Sequence, residues 1–300
     1  MREQHLVGLD YVKDVTALLQ RIRIAHPTAG LYQAAELQWW WRDPRSTDEI
    51  PQLFWFDEHG RPAAAVIAND FGDGSSAVFE ETTLAAVVMP GAAPDWITYV
   101  VERGLAHAAE CGLDAVDFEV DQADELVNEV LSGYGFERAG DGVVEAWLTA
   151  DDRPEVSPMH EGYRLQTRAE TMGQPHHFGH RAGPQTEERL RQTSLYRPDL
   201  DLVVHDSRGA VGAYGLFWFH PKTATGVVEP MRTEDDHQRR GLARHILTAG
   251  IDRLAAAGAD RISIGWEPDN PASGHLYRSV GFESALSTHI LRGSTGRRAL

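Results

Sequence analysis

Cysteine is nearly absent. Cys111 stands alone among 300 residues, so the chain forms no internal disulfide and has no CxxC or zinc-finger arrangement. Positive charge is scarce as well: 28 Lys and Arg face 45 Asp and Glu, a formal net charge of -17 that opposes phosphate-backbone binding and favours cationic partners. Nucleic acid is therefore not expected as a partner. No apolar run approaches the roughly 20 residues a membrane helix requires, and the opening Met1-Arg2-Glu3-Gln4-His5 has no apolar core like that of a secretory leader. The expectation is a cytoplasmic protein without a membrane partner, and no motif speaks to its oligomeric state.

What is present is a hydrophobic fraction of 42%, in a chain long enough for two ordinary domains. Residues 151–158 carry charge and two prolines without apolar periodicity and read as a linker. On either side the sequence repeats itself. Gly112 matches Gly258, and Gly135-Phe136-Glu137 matches Gly281-Phe282-Glu283, both at an offset of 146 residues with no gap. A domain-sized period indicates duplication of a mixed α/β unit rather than a solenoid.

In the second half, strands are predicted over 201–206, 211–219, 225–233 and 261–266, and helices over 242–257 and 271–279. The first half repeats the order, with strands over 52–56, 62–69, 76–89 and 115–120 and a helix over 95–110. Between the strand at 225–233 and the following helix stands Gln238-Arg239-Arg240-Gly241-Leu242-Ala243. A helix start offers free N–H groups and partial positive charge, and a glycine there lets a diphosphate reach the backbone.

These residues carry a resemblance. Gln238, Gly241 and Ala243 fill the pyrophosphate-loop pattern of the GNAT superfamily of N-acetyltransferases, and Asn270, Leu276-Tyr277 and Gly281-Phe282 fill a second pattern of that family. The resemblance covers residues 162–292 well and 5–149 by architecture and repeat alone. It implies two tandem GNAT-like domains, each a mostly antiparallel sheet flanked by helices: a degenerate domain at 1–150, a linker at 151–161 and a catalytic domain at 162–300. It also implies acetyl-CoA as cosubstrate and a small-molecule amine as acceptor. No metal is expected, and with Cys111 in the other half and no Ser–His–Asp arrangement legible, direct attack in a ternary complex is expected rather than a covalent acyl-enzyme. Two rivals stay open, a non-catalytic acyl-CoA-binding sensor and a protein-amine acetyltransferase.

By the same resemblance, the backbone of Arg239 to Ala243 would cradle the diphosphate, with Arg239, Arg240 or Arg244 adding charge. Met231, Arg232 and Thr233 would meet the pantetheine arm and thioester beside a splay that Pro230, lacking an N–H, makes natural. Asn270 would bond the same arm or cap its helix, and Ser273 joins the cofactor-binding set. Tyr277 is the candidate acid for the departing sulfur, or else a core aromatic. Glu229 is the candidate base, or else a holder of a cationic substrate.

The constant offset tests the first half. The positions of Gly241, Tyr277, Asn270 and Glu229 become Asp95, Leu131, Asp124 and Thr83, so the loop and both candidate catalytic groups are missing. Asp95 would repel a diphosphate and is expected to cap its own helix, while Tyr134 could stand in for the missing tyrosine. Trp39-Trp40-Trp41 reads as core or interface before it reads as an aromatic acceptor wall. His176, His177 and His180 have metal-like spacing, but no further ligand is legible, and contact with the acceptor is the alternative.

Overall fold

The computed structural model describes residues 1–71, 80–179, 181 and 183–296. Along the first half run β1 (Arg2–Leu6), α1 (Gly8–Ala25), α2 (Ala34–Trp40), β2 (Gln52–Phe56), β3 (Pro62–Asn69), β4 (Thr82–Val88), α3 (Pro94–Glu110), β5 (Ala115–Asp121), α4 (Glu125–Gly133) and β6 (Glu137–Thr149). The second half continues with β7 (Tyr163–Thr167), α5 (Arg168–Thr171), α6 (Thr186–Gln192), β8 (Asp201–Asp206), β9 (Val211–His220), β10 (Thr225–Thr233), α7 (Leu242–Ala257), β11 (Arg261–Trp266), α8 (Pro271–Val280) and β12 (Glu283–Ser294). The strand predicted over 76–89 is observed as β4, and residues 76–79 lie outside the described residues. Asp95 is not the cap of its helix: Ala93 holds that position without a side-chain bond, Pro94 opens the helix, and Asp95 sits in the first turn.

The chain folds as two compact units that do not coincide with its halves. Unit 1 comprises residues 1–40, 44–144 and 286–300; unit 2 comprises 41–43 and 145–285. In unit 1 the sheet order is β1-β2-β3-β4-β5-β12, so the closing strand comes from the second half. Thr288 to Ser294 of β12 pair antiparallel with Asp121 to Ala115 of β5. Arg292 anchors this strand, with Nε and Nη2 bonding the buried Asp117 carboxylate at 2.7 and 2.9 Å. In unit 2 the order is β6-β11-β10-β9-β8-β7, and here the first half supplies β6.

Alternating apolar residues explain each core. Leu53, Trp55, Val66, Leu84, Leu105 and Phe118 form that of unit 1. Leu216, Phe217, Trp218, Ile246, Ile251, Leu254 and Ile264 are buried in unit 2. Residues 151–161, read as a linker, include a segment tied to α7: Arg153 bonds Asp252 at 3.1 Å, and the Ser157 amide donates to Thr248 Oγ1 at 3.0 Å. Among the described residues no helix is long and apolar enough to cross a membrane.

Helix α7 approaches β9 closely because Gly250 has no side chain, and a Cβ built there would lie 2.0 Å from the Phe217 ring. Helix propensity favours Ala over Gly by about 1 kcal/mol, but the overlap reverses the sign. Gly250→Ala is expected to destabilise unit 2 by about 1–3 kcal/mol, read from the midpoint of urea unfolding at unchanged slope.

Candidate active site

In unit 2 the parallel pairing of β10 with β11 runs from Thr225 to Val228 and stops there. On the other side β10 keeps its bond to β9, with a register shift between Val228 and Met231. Glu229 and Pro230 occupy that shift, and their peptide bond is cis. Beyond it Met231, Arg232 and Thr233 pair with Gly215, Tyr214 and Ala213 of β9 alone. The splay expected beside Pro230 is therefore where two parallel strands part. The Thr233 hydroxyl is buried there without a hydrogen-bond partner, a donor and acceptor that a ligand in the gap can satisfy.

The loop before α7 has the backbone that an anion needs. Arg239 and Gly241 both have positive φ, 60° and 74°, and nothing lies within 4 Å of the Cβ that Gly241 lacks. The first amides of a helix have no intrahelical acceptor, and α7 begins at Leu242 directly after this turn. Gln238 Nε2 bonds Asp235 Oδ1 at 3.2 Å, which fastens the loop to the 3-10 turn at Asp235–His237. Arg240 bonds the Tyr163 hydroxyl, and Arg244 bonds Ser279 Oγ at 2.7 Å. Both guanidiniums are thus held beside the loop, and Leu242 and Ala243 open the helix behind it.

Glu229 is the most perturbed carboxyl of this region. Burial pushes it up to about 7, the Arg42 guanidinium pulls it down, and Glu267 adds a further push upward. Arg42 belongs to the three-residue segment 41–43 that packs into unit 2. Its neighbours hold it there: Arg189 lies 3.8 Å over the Trp41 ring, Trp41 Nε1 donates to Gln192 Oε1 at 3.0 Å, and Thr186 Oγ1 bonds Asp43 at 3.0 Å. Trp41 is therefore a buried anchor rather than an acceptor wall, and its role is to carry Arg42. Arg42 is ion-paired with the adjacent Asp43 at 3.0 Å, and no feature of the sequence tied its charge to Glu229, which lies 187 positions away.

Tyr277 is 5% exposed, packed edge-on to Trp266 at 5.9 Å between ring centroids. Burial first, and then the charge of Glu229, push its hydroxyl up to about 12, against the pull of its hydrogen bond with Ser273. It is at once a core aromatic and a neutral proton donor near Glu229. Ser273 thereby touches the candidate acid. Asn270 caps α8, its Oδ1 accepting from the Ser273 amide at 3.4 Å.

His176 and His177 turn onto Asp201 of β8, Nε2 to carboxylate at 3.1 and 2.9 Å, and the Tyr196 hydroxyl donates to the same carboxylate at 2.8 Å. Asp201 is the third member that the sequence did not reveal. By residue type His176, His177 and Asp201 could hold a metal ion, their ligand atoms lying within 4.8 Å of one another. In the structure His176 Nε2 bonds Asp201 Oδ2, whereas His177 Nε2 lies 2.9 Å from Oδ1 without hydrogen-bond geometry. His180 lies outside the described residues.

Unit 1 has the same divergence without the same chemistry. β4 and β5 pair in parallel at Thr82 and Thr83 and then separate. Thr83 and Leu131 are fully buried, and Asp124 caps α4 by accepting from the Val127 amide at 3.1 Å. Tyr134 does not replace the missing tyrosine, since its hydroxyl bonds Glu102 at 3.1 Å.

Comparison with known proteins agrees with this geometry. The pattern of the acetyltransferase (GNAT) family matches residues 161–282. A mycothiol acetyltransferase of Clavibacter michiganensis is 27% identical over 180 residues, 60% of this chain and 55% of the relative. One from Corynebacterium aurimucosum is 33% identical over 82 residues, 27% of each chain. The chain thus spans about half the length of the curated Clavibacter relatives it matches. Among solved structures, a tandem GNAT protein from the clavulanic acid biosynthesis pathway superposes with a TM-score of 0.68 at 14% identity, covering 99% of both chains. A GCN5-related N-acetyltransferase from Sphaerobacter thermophilus gives 0.60 at 16% identity, covering 100% of this chain and 96% of the other.

The Arg42 guanidinium favours the ionised form of Glu229, so Arg42→Met is expected to move the Glu229 titration above about 7. Carboxyl-carbon NMR of labelled protein measures it, and an unmoved midpoint would separate Arg42 from the site. With its splayed strands, glycine turn and loop before α7, residues 161–282 belong to the acetyltransferase (GNAT) family, and the chain as a whole has the tandem GNAT fold.

Proposed function

We propose that this protein is an acetyl-CoA-dependent N-acetyltransferase that acetylates a small-molecule amine by direct transfer in a ternary complex, with the chemistry confined to unit 2. The observation that carries this reading is the pairing of two oppositely suited groups at one strand divergence. Glu229 sits at about 7 and Tyr277 at about 12. A base with its pKa near the working pH removes a proton efficiently, and an acid that stays protonated can deliver one.

In this reading Glu229 takes the proton from the acceptor nitrogen as the C–N bond to the acetyl carbon forms. Tyr277 gives its hydroxyl proton to the sulfur as the C–S bond breaks. The backbone of Met231, Arg232 and Thr233, free of β11, lines the gap for the pantetheine arm and the thioester oxygen. The turn from Gln238 to Ala243 receives the diphosphate, supported by the charge of Arg239, Arg240 and Arg244. Asn270 and Ser273 flank the arm at the start of α8. The net charge of -17 draws a cationic amine toward the protein.

Unit 1 in this reading carries no second catalytic centre. Asp95 lies in the first turn of α3, where its charge opposes a diphosphate, and neither Glu229 nor Tyr277 has a counterpart.

Calorimetric titration of the intact chain with acetyl-CoA is expected to show one site per chain, lost in Gly241→Asp. Two sites would end the single-centre reading, and binding without turnover of any amine would favour a sensor. Against an accepted amine, kcat/KM is expected to rise with pH through about 7, as Glu229 loses its proton. Glu229→Gln should remove that limb and cost about a hundred- to ten-thousand-fold in rate. Tyr277→Phe should lower kcat with the thiolate-release step, and unchanged turnover in that variant would remove Tyr277 from the mechanism.

A further inference from the structure

The divergence of β4 from β5 in unit 1 encloses a cavity of about 280 Å³. A dry cavity of about 150 Å³ suffices for benzene, so this one has room for a compact organic molecule. Its walls are apolar, with Ile22, Val88, Ile97, Val101 and Phe118 among them. The polar groups on its lining are of one kind: Glu119, Asp121 and Asp124 supply carboxyls, Tyr32 supplies a hydroxyl, and among the described residues no Lys, Arg or His lines it.

Tyr32 adds a buried polar group to this lining. It is 6% exposed, its ring rests edge-on against Trp40 at 5.7 Å, and its hydroxyl is buried with no hydrogen-bond partner. A buried hydroxyl without a partner is unfavourable, a cost that a ligand atom in the cavity removes. Glu119 stands near it, its Oε1 accepting from Thr288 Oγ1 at 2.6 Å. Burial pushes the Glu119 carboxyl up against the pull of its hydrogen bonds with Thr288 and the Val143 backbone, and burial first, then the charges of Glu119 and Glu36, push the Tyr32 hydroxyl up. Asp121 and Asp124 each commit Oδ1 to a backbone amide, of Ala123 at 2.9 Å and of Val127 at 3.1 Å. Three carboxyls with no basic side chain on the lining favour a cation over an anion, which sets the cleft against acyl-CoA.

We propose that the cleft of unit 1 binds a small primary amine, with its ammonium between Tyr32 and Glu119 and its hydrocarbon part against Ile22, Val88, Ile97, Val101 and Phe118. The site is independent of acetyl transfer in unit 2, and the test separates the two. The intact chain is titrated calorimetrically with n-butylamine, and then with n-butanol and butyrate, which share its shape and differ in charge. The expected result is butylamine binding about tenfold or more tighter than butanol, no binding of butyrate, and one butylamine site that survives Glu229→Gln. Tyr32→Phe, which keeps the ring packing on Trp40, is expected to weaken that site about tenfold. Equal binding of amine and alcohol, or no amine binding at millimolar concentration, overturns the proposal on the wild-type protein alone, whatever the variants do. Loss in Glu229→Gln with no change in Tyr32→Phe places the amine in unit 2 and overturns it as well.

Discussion

Two neighbouring parallel strands that stop bonding to each other part-way along leave backbone polar groups inside a protein, and those groups must find partners. In unit 2 this happens after Val228, where the pairing of β10 with β11 ends. Pro230 cannot donate to a ladder, and the register toward β9 shifts at the same place. One covalent fact, the missing N–H of a proline, thus coincides with the opening in which Glu229 is half-buried and beside which Thr233 keeps an unpartnered hydroxyl. The helix that follows β10 begins beyond a turn whose positive φ values at Arg239 and Gly241 suit backbone recognition of an anion. Opening and anion turn are consecutive in the chain, so their relative placement follows from local geometry.

The same opening exists in unit 1 and is lined differently. The offset of 146 residues maps Glu229 onto Thr83, which is fully buried, and Gly241 onto Asp95, which lies within the first turn of α3. What unit 1 retains is the architecture of diverging strands; what it gains is Glu119, where unit 2 has Gly265, and a hydroxyl from Tyr32. Duplication preserves a backbone cleft cheaply because its shape resides in strand pairing.

Legibility in the sequence tracked separation along the chain. Strands β2, β3, β8 and β10 and helix α7 have the bounds expected from apolar periodicity and turn residues, because period and punctuation are local properties. Tyr134, a candidate substitute by proximity in sequence to Leu131, instead bonds Glu102, since α4 turns it toward α3. His176 and His177 were visible as neighbours, but the carboxylate beside them comes from β8, beyond α6. Composition marks no residue as a partner of another when the two meet only through packing.

The sequence by itself determined the duplication, the order of elements in each half, the glycine turn before α7 and the proline in β10, because each depends on neighbours within a few positions. Tertiary structure alone decided that β12 closes the sheet of unit 1 and that Trp41, under Arg189, carries Arg42 into unit 2. It also decided that Glu229 sits at about 7. That value balances burial against the charges of Arg42 and Glu267, and both burial and charge separation are distances in space, which a linear order of residues does not contain.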